Sequence, residues 1–272
     1  MKIKSQNYSK SINFYSRNKN IKKADDIQRR ARLVFPALSP SYIDEFYSST
    51  RLLNETPINT QARRIFKKID KKLTTLRKIT KEPDKYGVEQ TPLQKKTPYG
   101  LLLSNMNLLK VGNCEECAAT VLAALAANGF YNSQKVYLGL EIQYTDKKTG
   151  ETKYREIEPL DHAFVVTTLD KENPTEKDKI VIDSWLGFAD STSGASARYK
   201  QMYKKEELDN ILSYHRSMFR LNMAIETGKT IDFKDYQLRT NFIFYPADNN
   251  SINEMKELGI YSALIYDDLI LP

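Results

Sequence analysis

Cysteine and histidine are both scarce in this chain, with two of each in 272 residues. Two cysteines three positions apart, Cys114 and Cys117, cannot form a disulfide framework, so reduced thiols are the expectation. Long apolar runs are missing as well. No stretch approaches the roughly 18 apolar residues that would span a bilayer. The first residues, Met1-Lys2-Ile3-Lys4-Ser5-Gln6-Asn7, lack the apolar core of a secretory signal, so synthesis and folding in a cytosol are expected. There is no internal repeat and no long low-complexity segment. The scarcity of histidine matters most for chemistry, because a general base of that type must be His162 or His215.

What is present is a folded-protein composition, 40% hydrophobic and 11% aromatic, long enough to bury a sizeable core. The net charge of +8 is unevenly distributed. Residues 1–100 carry 23 Lys+Arg against 9 Asp+Glu, and the remainder carries 19 against 25. The expected organisation is a basic helical region over 1–98, followed by one core over 99–272. The basic region could meet an anionic membrane surface, an acidic partner or nucleic acid, or be a solvated helical face.

The period of the apolar residues predicts a helix over Ala24–Val34 and a short one over Pro40–Tyr47. An amphipathic helix follows, with Ala62, Ile65, Phe66, Ile69, Leu73, Leu76 and Ile79 on one stripe. Its other faces carry Arg63, Arg64, Lys67, Lys68, Lys71, Lys72, Arg77 and Lys78. Residues 81–98 read as a linker. Past residue 130 the period changes to that of strands. These are expected over 135–145, 152–159, 161–168, 179–185 and 236–245, with a hairpin loop at 146–150. Residues 190–200, rich in Ser, Thr and Gly, read as a flexible surface loop. Helices are expected over 206–226 and 251–258.

The organising stretch is Gly112-Asn113-Cys114-Glu115-Glu116-Cys117, running on through an Ala- and Leu-rich segment to Asn128-Gly129. Gly112 suits a tight turn, Asn113 an N-cap, and Asn128-Gly129 a C-cap. A helix apolar on nearly every side belongs inside a protein. Cys114 then stands at the positive end of a buried helix, where the nucleophilic thiolate is favoured. Glu115 and Glu116 oppose that bias by like charge.

His162 opens one predicted strand, and Asp183 lies on the next. Pairing the strands about Asn173-Pro174 would set His162 opposite Asp183, where a carboxylate could orient the imidazole. Cys114, His162 and Asp183 then supply nucleophile, base and orienter. A slip of one residue would turn Asp183 to the other face. His215 falls on the apolar side of a predicted helix, the usual setting of a packed histidine.

The blocks Gly112-Asn113-Cys114-x-Glu116-x-Ala118, Asp161-His162-Ala163-Phe164-Val165-Val166 and Val181-Ile182-Asp183-Ser184-Trp185 resemble the signature blocks of papain-like, transglutaminase-like cysteine enzymes. They look most like versions found among effector proteins that bacterial pathogens deliver into host cells. The resemblance covers roughly residues 112–187. Glu115 departs from the small residue common after the cysteine in that family. The resemblance implies an α+β fold in which a central helix packs on an antiparallel sheet. It also implies acyl transfer on a host protein substrate: proteolysis, glutamine deamidation or transglutamination. It calls for no cofactor and no metal.

Asn107, Asn105 and Asn113 are candidates for a side-chain oxyanion donor beside the Cys114 N–H. Trp185 is a candidate substrate contact. The implied life history is a bacterial cytoplasm, export without a Sec signal, and the host cytoplasm. Three rival readings stay open. The C-x-x-C could be a thiol redox pair. Cys114, Cys117, His162 and Asp183 could hold a metal. The chain could also be an inactive module docked through its basic region.

Overall fold

The computed structural model describes residues 19–35, 37, 57–157, 160, 162–169, 175–203, 205–247 and 251–265. The expected helix at 40–47 lies outside them. The fold is α+β, and the described strand pairs run antiparallel. Two compact units interleave along the chain. One comprises Met1–Lys135, Ala163–Ser191 and Asp248–Pro272; the other comprises Val136–His162 and Thr192–Ala247. Residues on both sides of position 98 share the first unit, so the expected boundary there does not coincide with this division.

In the first unit the helices are α1 (Lys19–Val34), α2 (Pro57–Lys81), α3 (Pro92–Lys96), α4 (Pro98–Leu109) and α5 (Cys114–Ala127). The stretch read as a linker over 81–98 therefore holds a short helix and the start of another. Pro92 and Pro98 open those helices, because a first-turn proline gives up only an N–H that has no intrahelical partner. α5 is the centre of the unit. Ala119, Val121, Leu122, Ala123 and Leu125 have no accessible surface, so the helix is covered on every side, as its composition requires. α1 packs on it through Ile21, Ala24, Ile27 and Ala31. A later helix, here α8 (Ile252–Ile265 in chain order), covers another side through Met255, Leu258 and Tyr261.

The first unit's strands are β3 (Ala163–Thr167), β4 (Ile180–Asp183) and β5 (Phe188–Ser191). β4 lies between β3 and β5. Val165, Ile180 and Ile182 join the cluster around α5, so the helix packs on that face of the strands. α2 contributes a smaller cluster, Ile69, Leu73 and Leu76 against Met106 and Val111. The predicted apolar stripe is thus a core face at Ile69, Leu73 and Leu76, with Ile65 exposed, and Arg64, Lys67, Lys68, Lys71 and Lys78 stand on the outer face.

β1 (Ser133–Asp146), which passes into the second unit at Val136, carries β2 (Thr152–Ile157) on one edge and β6 (Tyr236–Pro246) on the other. Asp146 accepts from the N–H groups of Lys148 and Thr149 and so closes the predicted hairpin. These two donors also hold its carboxyl below the usual range. α6 (Thr192–Met202) and α7 (Lys205–Thr227) complete the unit. The flexible loop expected at 190–200 is instead the end of β5 and the helix α6. Ala195 and Tyr199, one helical turn apart, are fully buried, and this packing outweighs the weak helix propensity of Ser, Thr and Gly. Among the described residues no helix is long and apolar enough to cross a membrane.

Candidate active site

α5 begins at Cys114, as the sequence predicts, and Asn113 is its N-cap. Glu116 accepts from the Asn113 N–H at 2.8 Å in a capping box. The N–H of Cys117 donates to the Asn113 carbonyl at 2.8 Å, closing the first turn. Gly112 is required for space, not for a left-handed backbone. A Cβ there would lie 2.9 Å from the Glu116 Cβ and 3.2 Å from the Met106 Cε.

The two glutamates in this turn do not act as free anions. Glu116 is buried, and the Arg77 guanidinium grips it with two hydrogen bonds of 2.7 and 3.1 Å. That planar fork matches a carboxylate and is the strong form of ion pair. The bonded carboxylate in turn raises Arg77 above its already high value. Glu115 pairs with Lys135 at 3.1 Å. The like-charge opposition expected from the sequence is therefore answered by two cations, one from α2 and one from the start of β1.

The two thiols differ. Burial, followed by the charges of Glu116 and Cys114, pushes the Cys117 thiol up to about 12. Cys117 is thus a packed, protonated side chain at neutral pH. Cys114, at the head of the helix, and Cys117 are both partly exposed as whole residues, so the difference lies in the surroundings of the sulfur and not in residue accessibility. Arg32 and Asp183 also act on the Cys117 thiol, in opposite directions, which brings both charges within electrostatic reach of the first turn of α5.

Asp183 is fully buried at the end of β4. Its Oδ1 accepts from the Leu186 N–H at 2.9 Å, and its carbonyl accepts from the Gly187 N–H at 2.7 Å. The chain reverses here into β5. Gly187 has φ +77°, and an Arg32 Nη1 lies 2.6 Å from where a Cβ would stand, so both backbone and space demand glycine. Trp185 stands in the same turn, partly exposed.

The register of β3 and β4 differs from the expected one. Val165 pairs with Ile182 and Val166 with Val181. Continued by one residue, this sets Phe164 opposite Asp183, two places from the expected His162 partnership. A 3-10 turn at Glu176–Asp178 precedes β4, with the Asp178 carboxylate accepting from the N–H and the hydroxyl of Thr175. A shift of two keeps the parity, so Asp183 remains on the Phe164 face. That face is opposite the one on which α5 packs, so it is at the strand end that Asp183 nears the cysteine turn.

His162 is the last residue of its segment in the second unit and directly precedes β3. It is buried, its carbonyl accepts from the Leu138 N–H at 2.9 Å, and its ring meets Tyr199 edge-on at 5.7 Å. Asp161 lies outside the described residues. His215 is on α7 against the Tyr214 ring. The Asn107 carbonyl accepts from the Lys110 ammonium, and Asn105 donates to Thr80 at 3.5 Å. Among the described residues, no three His, Cys, Asp or Glu side chains are grouped to hold a metal ion. The cations Arg77, Lys135 and Arg32 were not legible as parts of the cysteine turn. In the sequence each is one basic residue among many. Comparison with protein-family models, with curated proteins and with solved structures finds no match to this chain.

Proposed function

We propose that the chain is a cysteine-dependent acyl-transfer enzyme of the papain-like, transglutaminase-like class, acting on a protein substrate. The observation that supports this best is the partly exposed Cys114 at the capped first residue of a buried helix, with both neighbouring glutamates ion-paired. The Cys114 sulfur attacks a substrate carboxamide or peptide carbonyl, forming the C–S bond. His162 takes the thiol proton and returns it to the leaving nitrogen as the C–N bond breaks. Water then attacks the thioester, its proton passes through His162 to the sulfur, and a carboxylate product leaves. An amine in place of water gives transglutamination. His162 is assigned as base because it is the histidine entering β3. Asp183 is assigned as its positioning residue.

The Cys114 N–H, at the start of the helix where no intrahelical acceptor exists, serves the oxyanion. Asn113 is the nearest side-chain amide in the chain to complete that site, with Asn107 the more distant candidate. Trp185 is assigned to substrate contact. The host-cell setting is carried by the resemblance alone.

The test is mass spectrometry of host-cell proteins exposed to the wild type and to Cys114→Ala. A gain of ~1 Da on a glutamine means deamidation, an added amine transglutamination, and a new chain terminus proteolysis. No difference between the two samples rejects the proposal. Cys117→Ser keeps activity under this reading; loss of activity there supports a thiol redox pair instead.

A further inference from the structure

The outer face of α2 carries Arg64, Lys67, Lys68, Lys71, Lys78 and Lys81, all exposed. At 100° per residue these six fall within one arc, diametrically opposite the buried Ile69, Leu73 and Leu76. The row is about 25 Å long. Between Arg64 and Lys81 the sequence holds one acidic residue, Asp70, and it lies about a quarter turn away from the centre of the row. Among the described residues, none of the six cations has a carboxylate partner. Of the α2 cations outside the row, Arg77 is held by Glu116 and Lys72 by the Leu109 carbonyl.

This arrangement is unfavourable in the isolated chain. Arg64 and Lys68, Lys67 and Lys71 stand at i,i+4, and Arg64 and Lys67, Lys68 and Lys71, Lys78 and Lys81 at i,i+3. Like charges at those spacings repel. Among the described residues no carboxylate pairs with the row, and Glu82, four residues past Lys78, is bonded to Lys85, whereas an external polyanion would relieve the repulsion.

We infer that the outer face of α2 docks the protein on an anionic lipid bilayer surface. Three features select this occupant. The row is straight and faces outward from a helix packed on its other side, so all six charges can meet a plane together. A duplex backbone curves away over the same length. Five of the six are lysines, point charges suited to diffuse attraction, with a single arginine fork for bidentate phosphate recognition. The remaining residues of the arc are Thr74 and Thr75, so no amide reads base edges and no aromatic ring stacks on bases. With no apolar side chain in the row, attachment is electrostatic and without insertion. It does not depend on the thiol chemistry.

The experiment is sedimentation of the full chain with vesicles of phosphatidylcholine alone, or with about a third phosphatidylserine. Binding is expected only to the anionic vesicles, falling at least tenfold between low and physiological salt. Each lysine removed lowers partitioning roughly fivefold, so Lys67→Gln/Lys71→Gln/Lys78→Gln loses roughly 100-fold. A control removing equal charge elsewhere, Lys85→Gln/Lys200→Gln/Lys229→Gln, stays within a fewfold of wild type, and the row variant, relieved of like-charge neighbours, melts no lower than wild type. Four results overturn the inference. They are no binding to anionic vesicles, equal binding to neutral ones, equal loss in the two triple variants, or tighter binding to a short DNA duplex than to the vesicles.

Discussion

Two charged regions of the first unit follow opposite rules. At the head of α5 the acidic groups are matched from elsewhere in the fold, Glu116 by Arg77 and Glu115 by Lys135. On the outer face of α2 six cations stand together, unmatched among the described residues. Both regions involve the same helix, since Arg77 reaches inward from α2 while Lys78, the next residue, points out. The difference separates charges that the fold itself uses from charges left for something outside it. A residue of the first kind is costly to remove from the isolated protein. One of the second kind is cheap to remove, and its loss is felt only against a partner.

The largest effect is expected at Arg77. Arg77→Ala leaves Glu116 buried with only its backbone donor. Removing one partner of a buried pair costs about 3–5 kcal/mol, and water entering at the half-exposed guanidinium position brings this to about 2–3 kcal/mol. Urea unfolding monitored by circular dichroism measures it. A cost below about 0.5 kcal/mol would place Arg77 with the outer row.

Next is the pH response of Cys117. Its folded pKa, about 12, is raised above the ordinary thiol value of 9.0. The unfolded chain therefore loses this proton first. The contribution is intact below about pH 9 and is lost as pH rises toward 12, at about 1.4 kcal/mol per pH unit. Tyr245, also raised to about 12 by burial and Glu156, adds to the alkaline slope, so the difference between wild type and Cys117→Ala isolates the thiol. Unfolding midpoints at pH 8, 9 and 10 read that difference. Parallel curves would mean the Cys117 sulfur is not buried.

Gly112→Ala comes third. Its Cβ would press on the Glu116 Cβ at 2.9 Å, forcing the capping box and the Arg77 fork to shift. Overpacking of this kind costs about 1–3 kcal/mol. The expectation is a lowered unfolding midpoint together with a changed rate of Cys114 alkylation by iodoacetamide. A stability loss with unchanged alkylation would separate the cap from the thiol.

Much of the head of α5 was legible in the sequence, because it is encoded locally. Asn113 signals a cap, the Ala and Leu run signals a buried helix, and Asn128-Gly129 ends it. What was not legible depends on distant partners. The apolar stripe already turns Lys78 outward, but nothing in the sequence pairs Arg77 with Glu116, 39 residues further on. The β3–β4 register escaped because it depends on how the connection folds. The pairing is offset by two from the expected one, which sets Phe164 in place of His162 opposite Asp183. α6 was hidden by its Ser, Thr and Gly, since its stability lies in the burial of Ala195 and Tyr199 and not in propensity.

The smallest expected effect draws the sharpest contrast. Lys71→Glu replaces two repulsive neighbours with attractive ones, since Lys67 lies at i−4 and Lys68 at i−3. Each such pair changes helix stability by about 0.2–0.5 kcal/mol. The substitution also removes no buried contact, because Lys71 is exposed. The isolated protein is therefore expected to gain about 0.5 kcal/mol, an unusual sign for a charge reversal, and the gain should shrink as salt screens it. The same substitution should weaken attachment to anionic vesicles, because one attractive charge is replaced by a repulsive one. Chemical denaturation at low and high salt, beside vesicle sedimentation, tests both signs on one variant. Stability and attachment moving in the same direction would mean that the outer row contributes to the fold, and the two charged regions would no longer be different in kind.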